Sequence, residues 1–214
     1  MRKLLAGKGS KVLVFALSSW PLLFIAWRTY RGQLTANPVE FYQHQTGDWT
    51  LRFLVFTLSI TPLRKICQLP ELIRFRRMLG LFAFTYACLH FLTYLGPDQS
   101  FSFSGMLADV AKRPFITVGF AAFVLLLPLA LTSTAGWIRR LGGKRWQMLH
   151  RAVYVAATLG VIHYYWLVKS DIRKPVFYGV LVGLLLAWRV WSWTAGKKRA
   201  AAAPATEATV ARST

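Results

Sequence analysis

The chain has 214 residues, 55% of them hydrophobic and only 16% charged, yet its formal net charge is +20. That combination is unlike a soluble domain, and the basic residues lie between long apolar runs rather than on one amphipathic face, which argues against nucleic-acid binding. Lys and Arg accumulating in the cytoplasmic connections of a membrane protein account for the charge better. The two cysteines, Cys67 in a basic connection and Cys88 within an apolar run, make no disulfide framework.

Residues 1–11 carry Arg2, Lys3, Lys8 and Lys11 and precede the apolar run Val12 to Trp27. No small-residue cleavage site follows, so the run is predicted as a retained first span. The connection 28–47 holds Arg28, Arg31 and Glu40, with a turn at Asn37-Pro38. A second span from about Asp48 to Thr61 is predicted to stop at Pro62, before Arg64, Lys65, Arg74, Arg76 and Arg77. The third, Met78 to Leu95, contains His90 and ends at Gly96-Pro97-Asp98. A nearly neutral connection leads to the fourth, Pro114 to Thr132. Arg139, Arg140, Lys144 and Arg145 introduce a fifth, residues 144–168, and the sixth runs from Pro175 to Trp193. The predicted fold is an all-α membrane protein, a six-transmembrane-helix bundle over 12–194. A short N-terminus (1–11) precedes it, and a disordered, Ala-rich tail (195–214) follows.

Loop charge sets the orientation. The N-terminus, the second-to-third and fourth-to-fifth connections and the C-terminus are strongly basic, in register with six crossings and both termini in the cytoplasm. Glu40, Asp48, Asp98, Asp109 and Asp171 then fall at or beyond the outer interface. Trp27, Tyr30, Trp49, Tyr94 and Tyr164 to Trp166 suit an interfacial aromatic belt there.

The fifth stretch, KRWQMLHRAVYVAATLGVIHYYWLV, organises the functional reading. It is long enough to cross a bilayer as one helix and carries His150 near its start and His163 near its end. Ionisable side chains inside hydrocarbon are costly, so an intramembrane histidine marks a functional site by default. His90 lies five residues before the outer end of the third span, and His163 lies five before that of the fifth. Both spans run outward, so the two histidines share a depth, as two axial ligands of one haem iron would. His150 lies deeper, and the position matching it on the third span, thirteen residues before His90, is Arg77. Arginine keeps its charge and is no ordinary iron ligand, but it could pair with a haem propionate or a flavin phosphate. Thirteen steps of about 100° leave His150 and His163 about 140° apart on an ideal helix, so a second, inner bis-histidine site does not follow from spacing. His44, in an outer connection, is expected at the surface.

The runs ITPLR (60–64), RRMLGL (76–81), LH (89–90), KRPFITVG (112–119), LTST (131–134), KRWQMLHRAVY (144–154) and IHYYW (162–166) closely resemble the MsrQ family, also called YedZ, over residues 10–195. Its wider relatives are ferric-reductase-like transmembrane domains. The resemblance implies an electron-transfer subunit of the bacterial inner membrane that binds haem b. Electrons would come from the quinone pool, or from a cytoplasmic flavin reductase. They would go to a molybdenum-containing periplasmic catalytic subunit that reduces methionine sulfoxide in oxidised proteins, the two subunits forming a heterodimer. Carried over by motif, His90 and His163 match the outer haem ligands and His150 the further histidine. Two-haem relatives have a histidine in the third span where this chain has Arg76-Arg77, a departure that puts a second conventional haem in doubt. The resemblance also implies FMN, for which no residue can be assigned.

The chain has no Gly-rich dinucleotide loop and no Cys cluster, so it is expected to be a relay rather than a catalyst acting alone on the sulfoxide. The rival reading is a transmembrane proton channel or transporter with His90, His150 and His163 as a proton chain. The lack of acids at span centres and of an internal repeat weighs against it.

Overall fold

The computed structural model describes Leu5 and residues 7–202. Arg2, Lys3 and residues 203–214 of the expected tail lie outside the described residues. The helices are α1 (Lys8–Tyr30), α2 (Pro38–Ile66), α3 (Ile73–Thr93), α4 (Phe103–Lys112), α5 (Pro114–Leu131), α6 (Ala135–Leu141), α7 (Gly143–His150), α8 (Ala152–Leu167) and α9 (Arg173–Ala202). A 3-10 turn, Pro70–Leu72, leads into α3, and a π-helical turn, Tyr94–Asp98, leaves it. Among the described residues the protein is entirely helical.

Several helix starts are written in local chemistry. Asn37 accepts from the Glu40 N–H at 3.3 Å, with Pro38 opening α2, so the expected turn is a capped helix start. Ser102 accepts from the Gly105 N–H at 3.1 Å and begins α4 inside a stretch predicted as connection. Thr134 accepts from the Trp137 N–H at 3.4 Å and begins α6, also in a predicted connection.

Pro62 does not stop the second helix. It lies buried inside α2, which runs on to Ile66 and starts ten residues before the predicted Asp48. An internal proline costs a hydrogen bond, but neighbouring helices in a packed membrane bundle make that tolerable. The fifth stretch differs as well. It is two helices joined at Arg151, where the backbone tightens to Arg151 N–H to Met148 O and Tyr154 N–H to Arg151 O. Arithmetic that treats 144–168 as one ideal helix therefore does not carry from His150 to His163. The sixth helix runs past Trp193 to Ala202, through the first residues of the stretch predicted as a tail.

The closest helix pairings are α2 with α3 and α5 with α8; α9 leans on α8 and α2, and α3 meets α5. Aromatic rings fill the first pairing: Phe53 lies 5.2 Å from Tyr86 and 5.6 Å from Phe82, and Trp49 packs on Tyr86. Phe91 stacks on Phe123 at 4.8 Å where α3 meets α5. Ala83 on α3 and Ala156 and Ala157 on α8 have no exposed surface, as small residues do where helix backbones approach closely.

The outside is apolar. Val12, Leu13, Leu17 and Trp20 on α1 and Val180, Leu184 and Trp191 on α9 are all exposed. Such a surface is a liability in water and ordinary in lipid. Four segments are long and apolar enough to cross a membrane: Lys8–Tyr30, Pro70–Pro97, Pro114–Leu131 and Arg173–Gly196. Against six predicted, α2 has Asp48 and Arg52 in its middle, and α8 has only 16 residues.

Candidate functional site

The structure brings His90 of α3 and His163 of α8 together. Their ring centres lie 6.1 Å apart, with planes inclined at 74°. Each ring is also tied to one further helix, His90 to α2 and His163 to α5. His90 Nδ1 lies 3.0 Å from the Gln43 carbonyl on α2, with the buried Thr46 hydroxyl at 3.4 Å. His163 Nδ1 lies 2.7 Å from the Phe115 carbonyl on α5. A carbonyl can only accept, so each Nδ1 carries the proton and donates, which leaves each Nε2 with a lone pair.

That arrangement fits a haem iron. Two imidazoles on opposite sides of one metal, each bonded at about 2 Å, place their ring centres roughly 6 Å apart. An N–H to carbonyl bond from the far nitrogen is the partner that metal-ligating histidines use to fix tautomer and orientation. Among the described residues no group of three or more His, Cys, Asp or Glu could hold a metal ion. Two axial imidazoles suit an iron whose other ligands come from a macrocycle.

His150 is not brought to this pair. It ends α7, stacked on Trp146 at 3.9 Å, with Nδ1 3.0 Å from the Trp146 carbonyl and Nε2 3.5 Å from the Ser133 hydroxyl. Trp146 in turn donates from Nε1 to the Thr132 carbonyl at 2.9 Å, so His150 is held within a small joint between α7 and the end of α5. His44 is exposed on α2 rather than in a loop, 3.6 Å from Glu40.

Arg77 is exposed, whereas its neighbour Arg76 is half-buried and lines a narrow cleft with Leu58, Thr61, Tyr154, Trp188 and Arg189. The sequence held the signal. Fourteen residues back from His90, at about 100° each, returns to within about 40° of its direction, and thirteen ends about 140° away. A second polar group, unremarked in the sequence, lies one residue beyond Gly47: Asp48 is 3.8 Å from both Arg52 and Lys174, and Arg52 Nε donates to the Tyr178 hydroxyl at 3.1 Å.

An all-helical bundle with an apolar exterior that opposes two imidazoles at one level is laid out as a membrane carrier of a redox cofactor. Residues 46–161 match the family described as ferric reductase like transmembrane component. A protein-methionine-sulfoxide reductase heme-binding subunit MsrQ from Herminiimonas arsenicoxydans is 56% identical over 196 residues, covering 90% of each chain. Its namesake in Caulobacter vibrioides is 49% identical, covering 84% of this chain and 85% of the relative. One in Polaromonas naphthalenivorans is 46% identical, covering 92% of each. The chain belongs to the MsrQ family of multi-pass membrane proteins. No solved structure matches it significantly.

Proposed function

We propose that the chain is the haem-binding, electron-transferring membrane subunit of a protein-methionine-sulfoxide reductase, with His90 and His163 as the two axial ligands of one b-type haem. The observation that carries this reading is the pair of rings 6.1 Å apart, each with Nδ1 committed to a backbone carbonyl. A haem held there supplies one-electron exchange. The chain's part would be to hold the iron from both sides, cover the His163 ring with Phe115, and keep each imidazole in one tautomer.

The remaining assignments follow from the family resemblance and the distribution of charge. Six spans place both termini in the cytoplasm of a bacterial inner membrane, with α2 and α8 as the two crossings that length and composition alone leave out. The basic end, with Arg64, Lys65, Arg139, Arg140 and Lys144, faces the electron donor, a quinol or a flavin reductase. The opposite end, with Asp109 and Asp171, faces a molybdenum-containing periplasmic catalytic subunit on which the sulfoxide chemistry takes place. Arg76, rather than Arg77, faces the cleft at the basic end and is the better candidate for a propionate or phosphate contact. FMN rests on the family resemblance alone. His150 serves a place distinct from the outer haem.

The test is haem content and reduced-minus-oxidised spectra of His90→Ala, His163→Ala, the double variant and His150→Ala. The two single variants and the double should lose the same Soret signal, without additive effects, because the ligands act as one unit. His150→Ala should keep that signal. A colourless wild-type protein that conducts protons would return the histidine-relay reading. Loss of the signal in His150→Ala with retention in His90→Ala would refute the pairing.

A further inference from the structure

Both imidazoles sit in the same kind of recess. On α2 the Gln43 carbonyl accepts from His90 Nδ1, and four residues on stands Gly47, where a Cβ would meet His90 Cε1 at 3.1 Å and Nδ1 at 3.2 Å. On α5 the Phe115 carbonyl accepts from His163 Nδ1, and four residues on stands Gly119, where a Cβ would meet Nδ1 at 2.6 Å and Cε1 at 2.8 Å. The spacing has a geometric cause. In an α-helix the N–H of residue i+4 already points at the carbonyl of residue i, so a second donor reaching that oxygen from a neighbouring helix approaches over the Cα of residue i+4. A side chain there would occupy the donor's path.

Neither glycine is required by its backbone. Both lie inside helices with ordinary negative φ, where alanine is the better helix former. A Cβ at the helical Gly80 or Gly160 would meet neighbours at 3.6 Å or beyond, and one at Gly183 would meet nothing within 4 Å. The helical Gly105 is tight as well, but against Gln99 Oε1 at 2.9 Å and Ser102 Oγ at 3.2 Å, side chains of the turn that starts its own helix. The two local sequences, Gln-His-Gln-Thr-Gly at 43–47 and Phe-Ile-Thr-Val-Gly at 115–119, share only the terminal glycine. What recurs is the carbonyl and the glycine a turn later, once for each imidazole.

We propose that Gly47 and Gly119 are positioning residues, each forming with the carbonyl four residues before it a notch that seats one imidazole. The notches fix the Nδ1–H tautomer and the rotation of each ring, so that both Nε2 atoms face one iron with the ring planes crossed. This rests on the bis-histidine reading above. Crossed axial planes give a ferric low-spin haem a strongly anisotropic electron paramagnetic resonance signal, distinct from the rhombic signal of parallel planes. The hydrogen bond from Nδ1 also makes the imidazole more basic and favours the ferric state.

The experiment compares Gly119→Ala, Gly47→Ala and the control Gly183→Ala, in the full chain purified from membranes. Gly119→Ala should lose roughly 10–100-fold in haem affinity, as removal of an outer-shell partner does. Its residual haem should show a changed resonance signal and a raised midpoint potential. Gly47→Ala, where the fit is less tight, should shift both in the same direction by less, and Gly183→Ala should match wild type. Gly119→Ala is also made in a His163→Ala background. With the ring gone the added methyl has nothing to strike, so the double variant should accumulate and melt like His163→Ala alone. If Gly119→Ala is as harmful without His163 as with it, the glycine serves helix packing and the proposal is overturned. A wild-type signal and potential in Gly119→Ala, with haem lost in His163→Ala, would overturn the notch and leave the ligation intact. Haem retained with a native spectrum in His163→Ala would instead overturn the ligation itself.

Discussion

Tyr86, with none of its surface exposed, donates its hydroxyl to the carbonyl of Ser18 at 3.0 Å and so ties α3 to α1 across 68 residues of sequence. Its ring meanwhile stacks on Phe53 and touches Trp49. The two roles separate by substitution. Tyr86→Phe keeps the ring and removes the donor, and should cost about 1 kcal/mol. Tyr86→Ala opens a cavity in the aromatic layer and should cost about 3–5 kcal/mol. Thermal unfolding in detergent, followed by helical circular dichroism, reads both. Equal losses would show that the hydroxyl, and not the ring, supplies the stability.

Asp48 is the acidic centre of a cluster that joins α2 to the start of α9. Its side chain is 13% exposed, against 35% for Arg52 and 67% for Lys174. Exposure decides the ranking. The Lys174 contact is screened by water, so Lys174→Ala should change stability by less than about 0.5 kcal/mol. Asp48→Asn strands the more enclosed Arg52 guanidinium and should cost about 1–3 kcal/mol. The Arg52 bond to Tyr178 then becomes its main anchor, so Asp48→Asn combined with Tyr178→Phe should lose more than the sum of the two. Additive losses in the same unfolding experiment would show that the two contacts act independently.

Much of this was legible in the sequence because hydrophobic runs and loop charge are long-range signals. The fourth span was predicted as Pro114 to Thr132 and is found as Pro114–Leu131. The nearness of His90 and His163 followed from counting depth on two spans of one direction. What the sequence hid was local. Pro62 reads as a stop, and only the surrounding helices make it tolerable inside α2. Arg151 carries no breaker signal, yet the chain tightens there and separates His150 from the helix of His163. Arg76 was missed for Arg77 because depth was counted and helical phase was not.

Sidedness gives the third prediction. The basic connections alternate with weakly charged ones, and Asp171 illustrates the opposite end. The Arg173 backbone N–H and then its side chain hold the exposed Asp171 carboxyl below the usual carboxylate range, so it stays ionised beside Arg173 and Lys174. Reporter fusions after Gly96 and after Lys198 should report opposite compartments, the first outside and the second in the cytoplasm. The same compartment for both would mean that an odd number of crossings is missing between them, and α8 would be the helix to reconsider; opposite compartments with the first in the cytoplasm would point instead to α2.

The last prediction distinguishes two adjacent arginines. Arg76 is half-buried in a cleft with Arg189, Tyr154 and Trp188, and Arg77 is exposed one residue on. If the cleft receives an anionic group of a donor or cofactor, a guanidinium within it makes a charge-assisted contact, and an exposed one contributes little. Losing a hydrogen bond to a charged group costs about 1.5–3 kcal/mol, which is roughly a 10–100-fold loss in affinity. Arg76→Gln should therefore slow reduction of the Soret band by a limiting donor about tenfold or more, and Arg77→Gln should remain within about twofold of wild type. Running the assay once with a quinol and once with reduced FMN separates the chemistries, because only the flavin brings a phosphate. A loss confined to FMN would make Arg76 a phosphate contact, and a loss with both would make it a contact common to both donors at the basic end. Arg77→Gln emerging as the slower variant would reverse the facing assignment and show that α3 is rotated from the position its buried residues indicate.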